Sequence, residues 1–187
     1  IDMKEYHKIQ TQFVRDMEGN KKLIEGQFRS HLIEYLKDNE WLFTEKIDGT
    51  NACIIVTEHG DIFAQSRTKI LDESQAGDNF GFCKWVNGNK SDLLQLGVGY
   101  HFGEWWGQGI HRNYGMTERV FSLFNIWLPE WPECVRKVPV IEKTLEKALE
   151  RLNRIGSVAA PGFMKPEGLV LSATQNRGVR YKYIINE

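Results

Sequence analysis

What this sequence has little of narrows its function first. Its three cysteines, Cys53, Cys83 and Cys134, are odd in number and lack metal-ligand spacing. They exclude a disulfide framework and point to a reduced, intracellular, cytoplasmic protein. Long apolar runs and signal-peptide patterns are missing, so the chain is expected to be soluble and to make no membrane contact. Excess charge of one sign is missing too. With 24 Lys and Arg against 25 Asp and Glu, the formal charge is -1. A nucleic-acid partner must then be met by a local basic patch. The five histidines, His7, His31, His59, His101 and His111, show no metal spacing. Repeats, low-complexity tracts and an interdomain linker are also lacking, which predicts one domain over residues 1–187. The first residue is Ile1 rather than Met, leaving room for sequence before it.

What is present is the material of a packed core, 41% hydrophobic and 12% aromatic. Residues 3–38 are rich in charge, and Phe28, Leu32, Ile33 and Leu36 recur at helical spacing. From Trp41 the texture becomes strand-like: Trp41–Phe43, Ala52–Val56 and Asp61–Gln65, the last two joined by a turn at His59-Gly60. A polar stretch covers 69–79. A short helix is expected over Phe80–Val86, capped by Asp78 or Asn79, and a helical turn over Ser91–Leu96. Strand character returns at Val98–Trp105 and Phe121–Leu128, before Pro129 and Pro132. Ile141, Leu145, Leu149, Leu152 and Ile155 form an amphipathic stripe ended by Gly156, and Gly168–Ser172 and Val179–Ile185 close the chain as strands. The expected class is α+β with mainly antiparallel sheets flanked by helices.

The most informative segment is Glu45-Lys46-Ile47-Asp48-Gly49-Thr50-Asn51. It sets a lysine between two strands beside a tight Gly turn, where the amine can point into a pocket; plain hairpin-turn chemistry is the competing reading. Downstream come Gln65-Ser66-Arg67, Phe102-Gly103-Glu104-Trp105, Phe121 to Asn125, Pro166-Glu167-Gly168-Leu169 and Val179-Arg180-Tyr181-Lys182. Arg180 and Lys182 stand two apart, on one face of a strand. Beside a lysine nucleophile, their charge would neutralise phosphate oxygens and favour a neutral attacking amine. A solvated strand face is the alternative for both. His111, Arg112 and Tyr114 sit in a Gly-rich loop that either contacts nucleic acid or is plain surface.

In this order the fragments resemble the covalent nucleotidyltransferase superfamily of polynucleotide ligases and mRNA-capping enzymes. The resemblance spans residues 45–183, and the Thr50-Asn51 ending resembles the T4 RNA ligase 2-like group. It implies the nucleotidyltransferase (adenylation) fold and an ATP-dependent RNA ligase. Such an enzyme forms lysyl-AMP, adenylates an RNA 5′-phosphate and seals it to a 3′-hydroxyl. Lys46 would be the nucleophile, with Lys182 and Arg180 beside it in catalysis. Glu45, Asn51, Arg67, Glu104, Phe124, Glu167 and Lys182 would hold ATP, with Glu104 on the ribose and Phe124 stacked on adenine. Glu104 and Glu167 would hold Mg²⁺ or Mn²⁺. The family pattern tends to have Lys where Arg180 stands. Only Ile184 to Glu187 follow the last motif, so no C-terminal OB domain is expected and strand binding would fall to a separate domain or protein. Local binding of RNA is expected near Arg112, Arg180 and Lys182. The alternatives are a DNA ligase core, a capping-type guanylyltransferase, and an inactive RNA-binding module of the same fold.

Overall fold

Apolar alternation and turn chemistry produce strands throughout. The computed structural model describes residues 1–74 and 76–186. In chain order its elements are β1 (Phe13–Arg15), β2 (Leu23–Phe28), α1 (His31–Tyr35), β3 (Trp41–Lys46), β4 (Thr50–Val56), β5 (Ile62–Ser66), α2 (Phe82–Gly88), α3 (Lys90–Leu93) with a 3₁₀ turn at Leu94–Leu96, β6 (Gly99–Gly107), β7 (Arg119–Leu123), β8 (Val135–Lys137), β9 (Val140–Glu142), α4 (Leu145–Ile155), β10 (Gly168–Ala173) and β11 (Arg180–Ile184). Of the polar stretch 69–79, Gln75 lies outside the described residues.

Several boundaries differ from the sequence reading. Residues 3–38 hold only a five-residue helix, α1, preceded by the β1–β2 hairpin. The spacing from Phe28 to Leu32 runs across Ser30, whose side chain accepts from Leu32 N and starts the helix there. Ile33 and Leu36 are buried, but Leu32 is exposed. Ile141 lies on β9, not on the helix, because Thr144 caps α4 by accepting from Lys147 N. The strand expected over Phe121–Leu128 ends at Leu123. Gly81, not Asp78 or Asn79, occupies the cap position of α2, although the Asp78 side chain accepts from Lys84 N.

The chain packs as two compact units, one of Ile1–His7 with Ile47–Val138, the other of Lys8–Lys46 with Pro139–Glu187. In the first, a five-stranded sheet runs β5-β4-β6-β7-β8, antiparallel except for β7 with β8. One face carries Ala52, Ile54, Trp105 and Phe121, which pack with Phe82 and Val86 of α2. In the second, a four-stranded antiparallel sheet runs β11-β10-β3-β9. Trp41, Phe43, Leu169, Leu171 and Tyr181 on one face bury Ala148 and Leu152 of α4. Each buried side chain of this size contributes about 1.5–3 kcal/mol of transfer free energy. Since β3 and β4 belong to different sheets, Asp48-Gly49 is not the turn of a hairpin.

Candidate active site

Lys46 is the last residue of β3, on the face turned away from α4. Cross-strand register puts Lys46 opposite Gly168, and Gly168 opposite Ile184; one step along, Thr44, Val170 and Lys182 are aligned in the same way. Because side chains alternate, Lys46, Lys182 and Arg180 share one sheet face while Tyr181 enters the core. The expectation that Arg180 and Lys182 share a face is met. Glu167 precedes β10, and its Oε2 lies 3.1 Å from Lys46 Nζ. A β-carbon at Gly168 would lie 2.0 Å from the Tyr183 carbonyl, so only glycine lets β10 and β11 close up where Glu167 meets the lysine.

Electrostatics separates the cations. Burial lowers the pKa of the Lys182 amine, the like charge of Lys46 lowers it further, Glu167 opposes, and Arg15 and Lys8 add to the lowering. Burial also lowers that of Arg180. Lys46 itself is ion-paired, with the Glu167 carboxylate as its partner.

Glu45, expected as a nucleotide contact, points the other way into the buried layer. Its carboxylate accepts from Ser157 Oγ at 2.7 Å, Val158 N at 2.7 Å and Ala159 N at 3.0 Å. Burial raises its pKa and these three bonds oppose the rise. The side chain fastens β3 to the segment after α4, a scaffold task.

In the other unit, the sheet face away from α2 collects Asn51, Glu104 and Ser122 in register across β4, β6 and β7. Glu104 is half-buried there. Asn51 is 8% exposed, and its Oδ1 has no hydrogen-bond partner among the described residues. An orphaned buried acceptor is costly, which fits a site that receives a hydroxyl or a cation. Phe124 follows β7 with its ring half-buried, and Arg67 follows β5 with Nη1 donating to the Tyr6 carbonyl at 2.8 Å.

Asp48 is held by two side chains that the sequence reading offered to nucleic acid. Its N–H donates to the Tyr114 hydroxyl at 2.8 Å, and its Oδ2 accepts from Arg112 Nε at 3.0 Å. Tyr114 is only 2% exposed, with its ring edge-on to Trp106, so it cannot stack on a base. Its task is to fix the turn after the lysine. Gly49 completes that turn: a β-carbon there would meet the Trp105 carbonyl at 2.4 Å. His111 is exposed. Nothing local in the sequence marked Tyr6, Ser157 or the Tyr114–Asp48 bond, since each depends on residues far apart in the chain.

Among the described residues, no three His, Cys, Asp or Glu side chains form a metal-holding group. Glu167 in one unit, and Glu104 and the Asn51 amide oxygen in the other, are each hard donors of the kind that bind a divalent ion alongside phosphates and water. No helix among the described residues is long and apolar enough to cross a membrane.

A sequence model of the RNA ligase family matches residues 39–184. No curated protein sequence matches the chain. Among solved structures, a Naegleria gruberi RNA ligase variant with ATP and Mn superposes with a TM-score of 0.60 at 20% identity, covering 83% of this chain and 52% of that one. A variant of the same ligase with AMP and Mn gives 0.58 at 18%, covering 82% and 52%. The apo form of another variant gives 0.59 at 19%, covering 82% and 51%. The mixed α+β arrangement with mostly antiparallel sheets is therefore that of these structures, and the chain spans about half of their length.

Proposed function

Because the chain belongs to the RNA ligase family, we propose that residues 1–187 form one nucleotidyltransferase (adenylation) domain of an ATP-dependent RNA ligase of the T4 RNA ligase 2-like group. The placement of Lys46, Glu167 and Lys182 on one sheet face, with 3.1 Å between Lys46 Nζ and Glu167, carries the reading. Lys46 Nζ attacks the α-phosphate of ATP. An N–P bond forms, the P–O bond to pyrophosphate breaks, and the amine gives up its proton. Lys182, with Arg180 in support, neutralises charge on the phosphate oxygens, which is most of what a phosphoryl or nucleotidyl transfer asks of a protein. Glu104 and the orphaned Asn51 Oδ1 suit ribose hydroxyls, and Phe124 suits the adenine ring.

Glu167 and Glu104, each in its own unit, would be donors for Mg²⁺ or Mn²⁺, which as a Lewis acid would screen phosphate charge. The Naegleria ligase structures with ATP or AMP and Mn support this choice of nucleotide and ion. The stored AMP would then pass to an RNA 5′-phosphate, and a 3′-hydroxyl would displace it to seal the strand. Partner strands would be RNA with those two ends, gripped with help from another domain or protein. A reducing cytoplasmic setting accords with three free cysteines.

Incubation with α-phosphate-labelled ATP and a divalent metal, then denaturing electrophoresis, tests this directly. An acid-labile label mapping to Lys46 is expected, and Lys46→Ala should abolish it while the protein remains folded. Undiminished labelling of that variant would refute the assignment. Labelled GTP or NAD⁺ as the better donor would favour a capping-type enzyme or another ligase class. No label from any donor would favour a binding module.

A further inference from the structure

Residues Ile1–His7 belong with the five-stranded unit, whereas the chain from Lys8 onward belongs to the other. The segment has no regular secondary structure, yet it is fastened to the sheet face that carries Gln65, Phe102 and Glu104. Gln65, fully buried, answers both main-chain groups of Lys4: its Oε1 accepts from Lys4 N at 3.1 Å and its Nε2 donates to Lys4 O at 2.6 Å. The Tyr100 hydroxyl donates to the Asp2 carbonyl, and the Lys4 ammonium stands 4.6 Å over the Tyr100 ring. Arg67 closes the row by donating to the Tyr6 carbonyl. These bonds satisfy backbone groups that no strand partner meets, and they fix the course of the segment residue by residue.

The fastening delivers one ring to one place. Tyr6 lies with its centroid 5.0 Å from Phe124 at an interplanar angle of 33°, and 5.1 Å from Phe102 at 40°. Phe124 needs such support. It stands just past the end of β7, at the start of the irregular stretch that leads to β8. A stacking platform for a planar base must hold its own plane before the base arrives, since ordering it during binding weakens affinity.

We propose that Tyr6 is a positioning residue for nucleobase recognition: it buttresses one side of Phe124, and residues 2–6 form a fixed edge of the purine site. The inference rests on the adenylyltransferase reading above. It also gives Arg67 a task distinct from a direct ribose or phosphate contact, that of tying down the main chain at Tyr6. The extent of the fastening separates a permanent wall from a plug that ATP would displace, because a plug would have to give up every bond to Gln65, Arg67 and Tyr100.

The test uses the full chain as wild type, Tyr6→Ala and Tyr6→Phe. ATP affinity is read by equilibrium dialysis and as KM for self-labelling, and tripolyphosphate competition serves as a probe blind to the base. Tyr6→Ala should raise the ATP Kd and KM about tenfold, the order of one aromatic pair. The maximal single-turnover rate of self-labelling should stay within about twofold, as for loss of uniform binding. Tripolyphosphate inhibition should be unmoved, and Tyr6→Phe should restore ATP binding. Unchanged KM, tighter ATP binding, or equal losses for ATP and tripolyphosphate would each overturn the proposal. A wild type that labels while Tyr6→Ala matches it overturns this inference alone. A wild type that binds ATP without labelling refutes the catalytic reading, and dialysis still decides the role of Tyr6. A wild type that neither labels nor binds ATP overturns both.

Discussion

Lys46 and Lys182 are both lysines on one sheet face, but their neighbours treat them differently. Lys46 has a carboxylate partner at 3.1 Å, whereas Lys182 is pushed toward its neutral form, first by burial and then by the charge of Lys46. A cation that must neutralise phosphate is effective only below its own pKa. With that value lowered, Lys182 loses its charge at a lower pH than an ordinary lysine does. Adenylation should accordingly show an alkaline limb that begins below the usual lysine range, and Lys182→Arg should carry the limb upward because guanidinium stays charged. Lys182→Ala should slow single-turnover labelling by about a hundred- to a thousandfold, as for loss of one preorganised charge contact. An unshifted limb in Lys182→Arg, or normal labelling by Lys182→Ala, would rule out this role.

At the level of elements, the loop between β6 and β7 turns sharply to reach Asp48. His111, Asn113 and Tyr114 all sit in the left-handed region, with φ of 45°, 63° and 53°. Each such non-glycine residue costs on the order of 1 kcal/mol or more, and the conformation persists only where contacts over-determine it. Here Asn113 accepts from Gly109 N, Tyr114 accepts from Asp48 N, and Arg112 pairs with the Asp48 carboxylate. Tyr114→Phe removes one acceptor and leaves the Asp48 N–H unanswered, which should cost about 1–3 kcal/mol in urea unfolding. It should also slow self-labelling, because Asp48 and Gly49 set the course of the chain next to Lys46. If both measurements match wild type, the loop does not position the turn. Elements with a local signature were legible in the sequence: β4, β5, β6 and β10 in their apolar residues and turns, and α4 in its stripe and its Gly156 stop. β1 and β2 were not, because only Ile24 and Phe28 of β2 escape exposure and no alternation shows. That Lys46, Glu167 and Lys182 come together could be expected from fragment order. The support at Tyr6, Tyr114 and Ser157 could not, since it consists of contacts between distant positions that no local pattern encodes.

For the whole molecule, a formal charge of -1 means that any strand binding must rely on local cations. Lys8 and Arg15 are close enough for their charges to act on Lys182, whereas Arg112 is engaged with Asp48. Pre-adenylated nicks should be sealed faster when the acceptor ends in ribose, because the 2′-hydroxyl is what distinguishes the two nucleic acids, and sealing should weaken steeply with salt. Comparing all-RNA, mixed and all-DNA nicks at several salt concentrations checks this, and equal or faster sealing of all-DNA would favour a DNA ligase. The unit bearing Lys46 is assembled from two stretches, Lys8–Lys46 and Pro139–Glu187, with ninety-odd residues of the other unit threaded between them in sequence. Strand β3 therefore leaves the ribosome long before β10, to which it pairs from Trp41 opposite Ala173 through Lys46 opposite Gly168. Pairings so distant are slow to form, and synthesis releases roughly 5–20 residues per second. During translation β4 through β8 are all available to pair while β3 still waits for its neighbour. Neither Glu167 nor Lys182 can reach Lys46 until that neighbour emerges, so a nascent chain carries Lys46 for several seconds without the two side chains that meet it in the folded sheet.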